Sequence, residues 1–129
     1  MTEPLTSVLI VDAANVVGSV PDGWWRHRRG AAERLRDRLA ERTGPDGRGG
    51  EEVILVVEGA ARGIASVPGV RVESAPGSGD DRIVELAAAH AGRPCVVVTA
   101  DRALRERVKA YGAQCAGPRT VRPSQEDTR

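Results

Sequence analysis

Four short apolar runs, VLIV (8–11), VILVV (53–57), VRV (70–72) and CVVVT (95–99), punctuate a chain that is otherwise charged and rich in glycine. Each is bounded by turn residues and rich in β-branched side chains, which predicts strands rather than buried helix. A fifth, weaker strand is predicted at AQCAG (113–117). Helical patterns lie between them. Residues 28–42 bring Ala32, Leu35 and Leu39 onto one stripe, with Arg and Glu around it. Residues 80–91 group Ile83, Leu86, Ala87 and His90, and residues 102–110 group Leu104 and Val108, with Gly112 placed to end the helix. The segment GAARGIASVPG (59–69) reads either as a short helix or as a loop.

Strands alternating with helices predict right-handed βαβ units. The expected fold is α/β, a three-layer sandwich around a mainly parallel sheet of four to five strands. Residues 1–117 are expected to form one domain, with TGPDGRGG (43–50) as an exposed connection and residues 118–129 as a flexible C-terminal tail. Composition supports this. A chain of 129 residues fits a single domain. With 40% apolar residues, only 2% aromatic residues and no Phe, the core must come from Val, Ile, Leu and Ala. Such a core suits a parallel sheet covered on both faces. The formal net charge of +1 excludes whole-chain attraction to nucleic acid, so any such contact must rest on a local patch. Cys95 and Cys115 form neither a disulfide framework nor a zinc pattern, and they sit in apolar runs as small hydrophobes. MTEPLTS carries no charged-then-apolar leader, and no run approaches the roughly 20 apolar residues that span a bilayer. The expected location is the cytoplasm, away from membranes.

In an open α/β sheet, ligands bind beyond the carboxyl ends of the strands, where the strand order reverses. The acidic residues fall at such positions. Asp12 follows VLIV, Glu58 follows VILVV, Asp80 and Asp81 open the helix after the third strand, and Asp101 lies two residues past Thr99. Each has a plain structural alternative: helix capping for Asp80 and Asp101, a first-turn charge for Asp81, a solvated loop charge for Glu58. Asp12, at the end of an apolar strand, needs a partner. As a set, these residues are expected to converge on one rim, whereas chance would scatter them over both. Clustered carboxylates repel, so one must take up a proton or the site must hold a cation. An all-oxygen donor set favours Mg²⁺ or Mn²⁺ over zinc. Such an ion suits phosphodiester hydrolysis by an activated water.

The segments VDAANVV (11–17), GDDRIVELA (79–87) and TADRALRERV (99–108) resemble the motifs of the PIN-like nuclease superfamily, in its NYN-type branch. The match places Asp12 at the end of the first strand. It sets Asp80 three positions before Ile83, and Asp101 in a T-x-D-x-x-L pattern with Thr99 and Leu104. Asn15 matches an Asn that helps to orient the first Asp. The resemblance covers most of residues 7–117. It implies a PIN-like fold and a metal-dependent ribonuclease that leaves a 5′-phosphate. It also implies Asp12, Asp80, Asp101 and Asn15 as catalytic residues; with Asp81 and Glu58 from the strand-end reading, the expected set around Mg²⁺ or Mn²⁺ is Asp12, Asp80, Asp101, Asp81 and Glu58. Two positions depart from the pattern. Ala13 replaces the Gly of D-G-x-N, and Glu58 stands where related sequences often carry Asp.

A second feature is GWWRHRR (23–29). Trp24 and Trp25 offer rings for base stacking, and Arg26, Arg28 and Arg29 offer cations for phosphate, a combination suited to single-stranded RNA. The alternative is a Trp packed over the helix start with a solvated basic face. Arg62, Arg82 and Arg102 each lie beside an acidic position and serve either phosphate binding or charge balance. His27 and His90 have surface or helix-end roles. PGSGDD (76–81) lacks the Walker Lys and the dinucleotide fingerprint, and reads as a loop that lets Asp80 approach the site. The leading function is therefore a metal-dependent ribonuclease. Two alternatives stay open: a small-nucleotide phosphohydrolase using the same carboxylates, although VDAAN lacks the second Asp of D-x-D, and a non-catalytic nucleic-acid-binding module.

Overall fold

The computed structural model describes residues 7–19, 27–43 and 51–121. Five strands appear: β1 (Ser7–Asp12), β2 (Glu51–Val57), β3 (Val70–Ser74), β4 (Cys95–Val98) and β5 (Gln114–Ala116). Four helices join them: α1 (Ala13–Gly18), α2 (Arg28–Thr43), α3 (Gly79–Ala89) and α4 (Arg102–Lys109). All five expected strands form, and all pair in parallel in the order β3-β2-β1-β4-β5. The uncertain segment after β2 begins with a single 3₁₀ turn, Gly59–Ala61, and continues as an irregular connection to β3.

Both faces of the sheet are buried, as in other parallel sheets. Leu9, Val11, Val53, Leu55 and Val57 face one way and pack on Ala32, Leu35 and Leu39 of α2 and Val16 of α1. The alternating set Val8, Ile10, Ile54, Val56 and Val97 packs on Ile83 and Leu86 of α3 and on Leu104 and Val108 of α4. This period of two along each strand separates the two helical layers. Ile10 and Ile54 are wholly buried, so truncating either to Ala should cost about 2–5 kcal/mol. Gly112, at φ +86°, ends the last helix in the left-handed conformation that glycine adopts without strain.

Two features depart from the sequence expectation. A short helix, α1, follows β1 directly. At the other end, the chain stays packed past residue 117: Pro118–Thr120 forms a 3₁₀ turn and Val121 is buried with the α1/α2 layer. Residues 122–129 of the expected tail, and nearly all of the 43–50 connection, lie outside the described residues. Among the described residues, no helix is long and apolar enough to cross a membrane. Cys95 and Cys115 are both free thiols.

The register sets the position of the site. Val8 to Val11 of β1 pair with Cys95 to Val98 of β4, so the carboxyl ends of these two central strands lie side by side. The chain leaves β1 toward β2 and returns through β3 and α3 to β4 on the opposite flank, so the strand order reverses between β1 and β4. The crevice expected at such a switch point opens there.

Candidate metal centre

Asp12 is the last residue of β1 and is only 5% exposed. A carboxylate so placed must be hydrogen-bonded, and both oxygens are. Oδ1 accepts the Asn15 N–H at 3.4 Å and caps α1, while Oδ2 accepts the Thr99 hydroxyl at 3.0 Å. Thr99 is fully buried at the end of β4, and its Oγ1 also accepts the Asp101 N–H at 3.1 Å. Asp101 Oδ1 in turn accepts the Leu104 N–H at 2.9 Å and caps α4. Asn15 closes the network, its Oδ1 accepting the Ala100 N–H at 2.8 Å. One continuous set of hydrogen bonds therefore ties the ends of β1 and β4 together. Thr99 holds its centre, a role that the sequence reading left unassigned. The available signal was a hydroxyl closing an otherwise apolar run.

Asp80 arrives from the other helical layer. Ser78, not Asp80, caps α3: its Oγ accepts the N–H groups of Asp80 at 3.1 Å and Asp81 at 3.4 Å. The Asp80 carboxylate is therefore not spent on capping its own helix. Glu58, just past β2, accepts the Gly79 N–H through Oε1 at 3.0 Å. A Cβ at Gly79 would collide with that oxygen, so only glycine lets Glu58 close on the start of α3. The expected loop that admits Asp80 to the rim is thus a serine cap plus a glycine under Glu58.

These carboxylates feel one another. Burial pushes the Asp12 carboxyl up to about 6; its hydrogen bonds from Thr99 and Asn15 pull against this, and the negative charges of Asp80 and Glu58 add to the rise. Asp80 is raised as well, by burial first and then by Asp101 and Glu58, with Arg107 opposing. Asp12, Asp80, Asp101 and Glu58 thus lie near enough for their charges to act on one another. Asp81 stands at the margin. It is exposed and pairs with Arg107 at 2.9 Å, tethering α3 to α4. Among the described residues, no group of three or more His, Cys, Asp or Glu side chains stands close enough together to hold a metal ion. The atoms that Asp12, Asp80, Asp101 and Glu58 offer are all carboxylate oxygens. This fits Mg²⁺, which takes one or two carboxylates directly and keeps several waters.

The basic residues divide. Arg28 is exposed and lines a cleft beside Glu58. Arg29 donates from Nη1 to the Arg62 carbonyl at 2.7 Å, bracing the start of α2 against the chain after β2. Arg82 pairs with Glu73 and Glu85, which is charge balance, and Arg62 donates to the Pro76 carbonyl at 3.4 Å. His90 closes α3, its Nδ1 lying 2.8 Å from the Leu86 carbonyl oxygen. Trp24, Trp25 and Arg26 lie outside the described residues.

No family model matches the sequence, and no curated protein matches it significantly. Among solved structures, Rae1 (YacP) from Bacillus subtilis is similar to this chain at 25% sequence identity with a TM-score of 0.69. A point mutant of the same protein is similar at 24% identity with a TM-score of 0.66. In both cases the match covers 87% of this chain and 69% of the other. The five-stranded parallel sheet with helices on both faces is thus the PIN-like α/β fold expected from the three motifs.

Proposed function

We propose that this chain is a metal-dependent nuclease that hydrolyses phosphodiester bonds in RNA at the rim formed by Asp12, Asp80 and Asp101. The observation that carries the reading is Asp12: buried at the switch point and tied through Thr99 to Asp101, it stands where burial, and then the charges of Asp80 and Glu58, disfavour its ionised form and a cation would restore it. The motif resemblance and the PIN-like fold favour the same chemistry.

Asp12 and Asp80 are the residues to hold Mg²⁺ or Mn²⁺. Asp101 completes the set through the carboxylate oxygen that does not cap α4, and Glu58 and Asp81 stand at its margin. When bound, such a cation polarises the scissile phosphate and activates a water for attack. The chain's own residues supply position. Thr99 and Asn15 fix the Asp12 carboxylate and the loop that carries Asp101. Ser78 and Glu58 fix the helix start that carries Asp80. A rim held by backbone-anchored hydrogen bonds loses little on binding substrate, the condition for precise placement. Arg28, together with Trp24, Trp25, Arg26 and Arg29, forms the basic and aromatic stretch proposed to meet single-stranded RNA.

The test compares labelled RNA, DNA of the same sequence and nucleoside triphosphates, each with Mn²⁺, using wild type and Asp80→Asn. RNA fragments with 5′-phosphate ends, absent with Asp80→Asn, are expected. Hydrolysis of triphosphates alone would replace the reading with a small-nucleotide phosphohydrolase. RNA binding without cleavage would replace it with a binding module.

A further inference from the structure

Beside the carboxylate rim, on the α1/α2 side of the sheet, lies an open cleft of about 220 Å³. Its wall is built from the small apolar side chains Ala14 and Val17 of α1, Ala32 of α2 and Ala61 of the 3₁₀ turn. Two charged residues, Glu58 and Arg28, also line it. Glu58 belongs to both places: it lines the cleft, and its Oε1 accepts the Gly79 N–H at the start of the helix that carries Asp80.

We infer that this cleft is a nucleobase subsite, which receives the base of a nucleotide adjoining the scissile phosphate. The inference rests on the nuclease reading and adds what holds the substrate. The volume lies below the roughly 300–1,000 Å³ of pockets for drug-sized ligands, so it suits one flat ring system rather than a whole nucleotide. Short alanine side chains leave a smooth apolar wall for a ring face. A carboxylate is an acceptor only, and Glu58 has lone pairs beyond the one given to Gly79, so it complements the N–H edge of a base. Arg28 places a cation on the same wall, where the sugar-phosphate leaves the cleft. A base seated against Glu58 keeps its phosphate beside Asp12 and Asp80, because the same side chain borders both.

The experiment uses GMP and ribose 5-phosphate as probes, with the full chain in EDTA so that no cleavage can occur. Carbon-13 methyl spectra should show the Ala14, Val17 and Ala61 signals moving with GMP. Ribose 5-phosphate should bind about tenfold or more weakly, as loss of one base contact implies. Ala14→Leu, which fills the cleft, should weaken GMP by a similar factor and raise KM for RNA while kcat is kept. Equal binding of the two probes, or GMP shifts elsewhere on the protein, would overturn the subsite. So would contacts from Trp24 or Trp25 to these methyl groups with no response to GMP, since the chain would then fill its own cleft. Should Ala14→Leu fail to fold, the methyl shifts in wild type still decide. The two readings can fail separately. GMP bound in the cleft without RNA cleavage would overturn the nuclease reading alone, and cleavage with no base dependence would overturn the subsite alone.

Discussion

Asp12 and Thr99 stand 87 residues apart in the chain and are joined at the switch point, the Thr99 hydroxyl donating to Asp12 Oδ2 at 3.0 Å. The same hydroxyl oxygen accepts the Asp101 N–H, so one buried side chain orients two of the three candidate metal ligands. Thr99→Val keeps the shape but leaves Asp12 and the Asp101 N–H short of a partner. It should cost about 1–3 kcal/mol in urea unfolding, whereas Thr99→Ser should recover most of that loss. Equal stability of Thr99→Val and wild type would show that the hydroxyl is dispensable.

Asp12 should also govern how stability depends on pH in the metal-free protein. Its folded carboxyl is raised to about 6 from 3.8, so the folded state favours the protonated form. That contribution is fully present below the unfolded value and is lost as pH rises through about 6. The loss from this residue is on the order of 3 kcal/mol at one pKa unit per 1.36 kcal/mol. In EDTA, the wild type should therefore melt lower at pH 7.5 than at pH 5. Asp12→Asn should flatten the difference and melt higher than wild type at pH 7.5. A wild type whose stability rises steadily from pH 5 to 7.5 would rule out a strained Asp12.

Adding the cation should reverse that loss. Millimolar Mn²⁺ or Mg²⁺ binds only the folded rim and should raise the melting temperature at pH 7.5 by mass action. The increase should be largely absent in Asp12→Asn and in Asp80→Asn. A shift preserved in both variants would place the metal elsewhere.

Gly79 gives a prediction whose sign is informative. Within a helix, Gly→Ala ordinarily gains about 0.5–1 kcal/mol. Here the new methyl group displaces Glu58 Oε1, the free end of a flexible side chain, and with it the hydrogen bond from the Gly79 N–H, so Gly79→Ala should instead destabilise the protein slightly and blunt the metal response of Asp80. Glu58→Ala in the same chain should relieve part of the damage, giving a non-additive double-mutant cycle. Simple stabilisation by Gly79→Ala would mean that Glu58 does not press on the start of α3.

Much of this was legible in the sequence, and for identifiable reasons. Strands buried on both faces leave continuous β-branched runs, so even the three-residue β5 left a trace in AQCAG. The positions of Asp12, Glu58 and Asp101 near the carboxyl ends of β1, β2 and β4 followed from strand ends alone, whereas Asp80 lies past β3, at the start of α3. What escaped depends on tertiary contact. Helix α1 is only six residues long and contains Val16, Val17 and Gly18, poor helix formers. It forms because Asp12 caps it and Val16 packs into the core. Capping by Ser78 rather than Asp80 is a choice between residues two positions apart that periodicity cannot make. The division of Arg28 and Arg29 between cleft and brace depends on where the carbonyl of Arg62 falls, which no local pattern encodes.

The most direct measurement is the anomalous scattering of a crystal soaked in Mn²⁺ at pH 7.5. A single strong peak among the Asp12, Asp80 and Asp101 carboxylates, with the remaining coordination filled by water and lost on chelation, is the expected result. A rim without manganese density at millimolar Mn²⁺, or a peak bound only by carboxylates outside it, would contradict the assignment of this switch point as a metal centre.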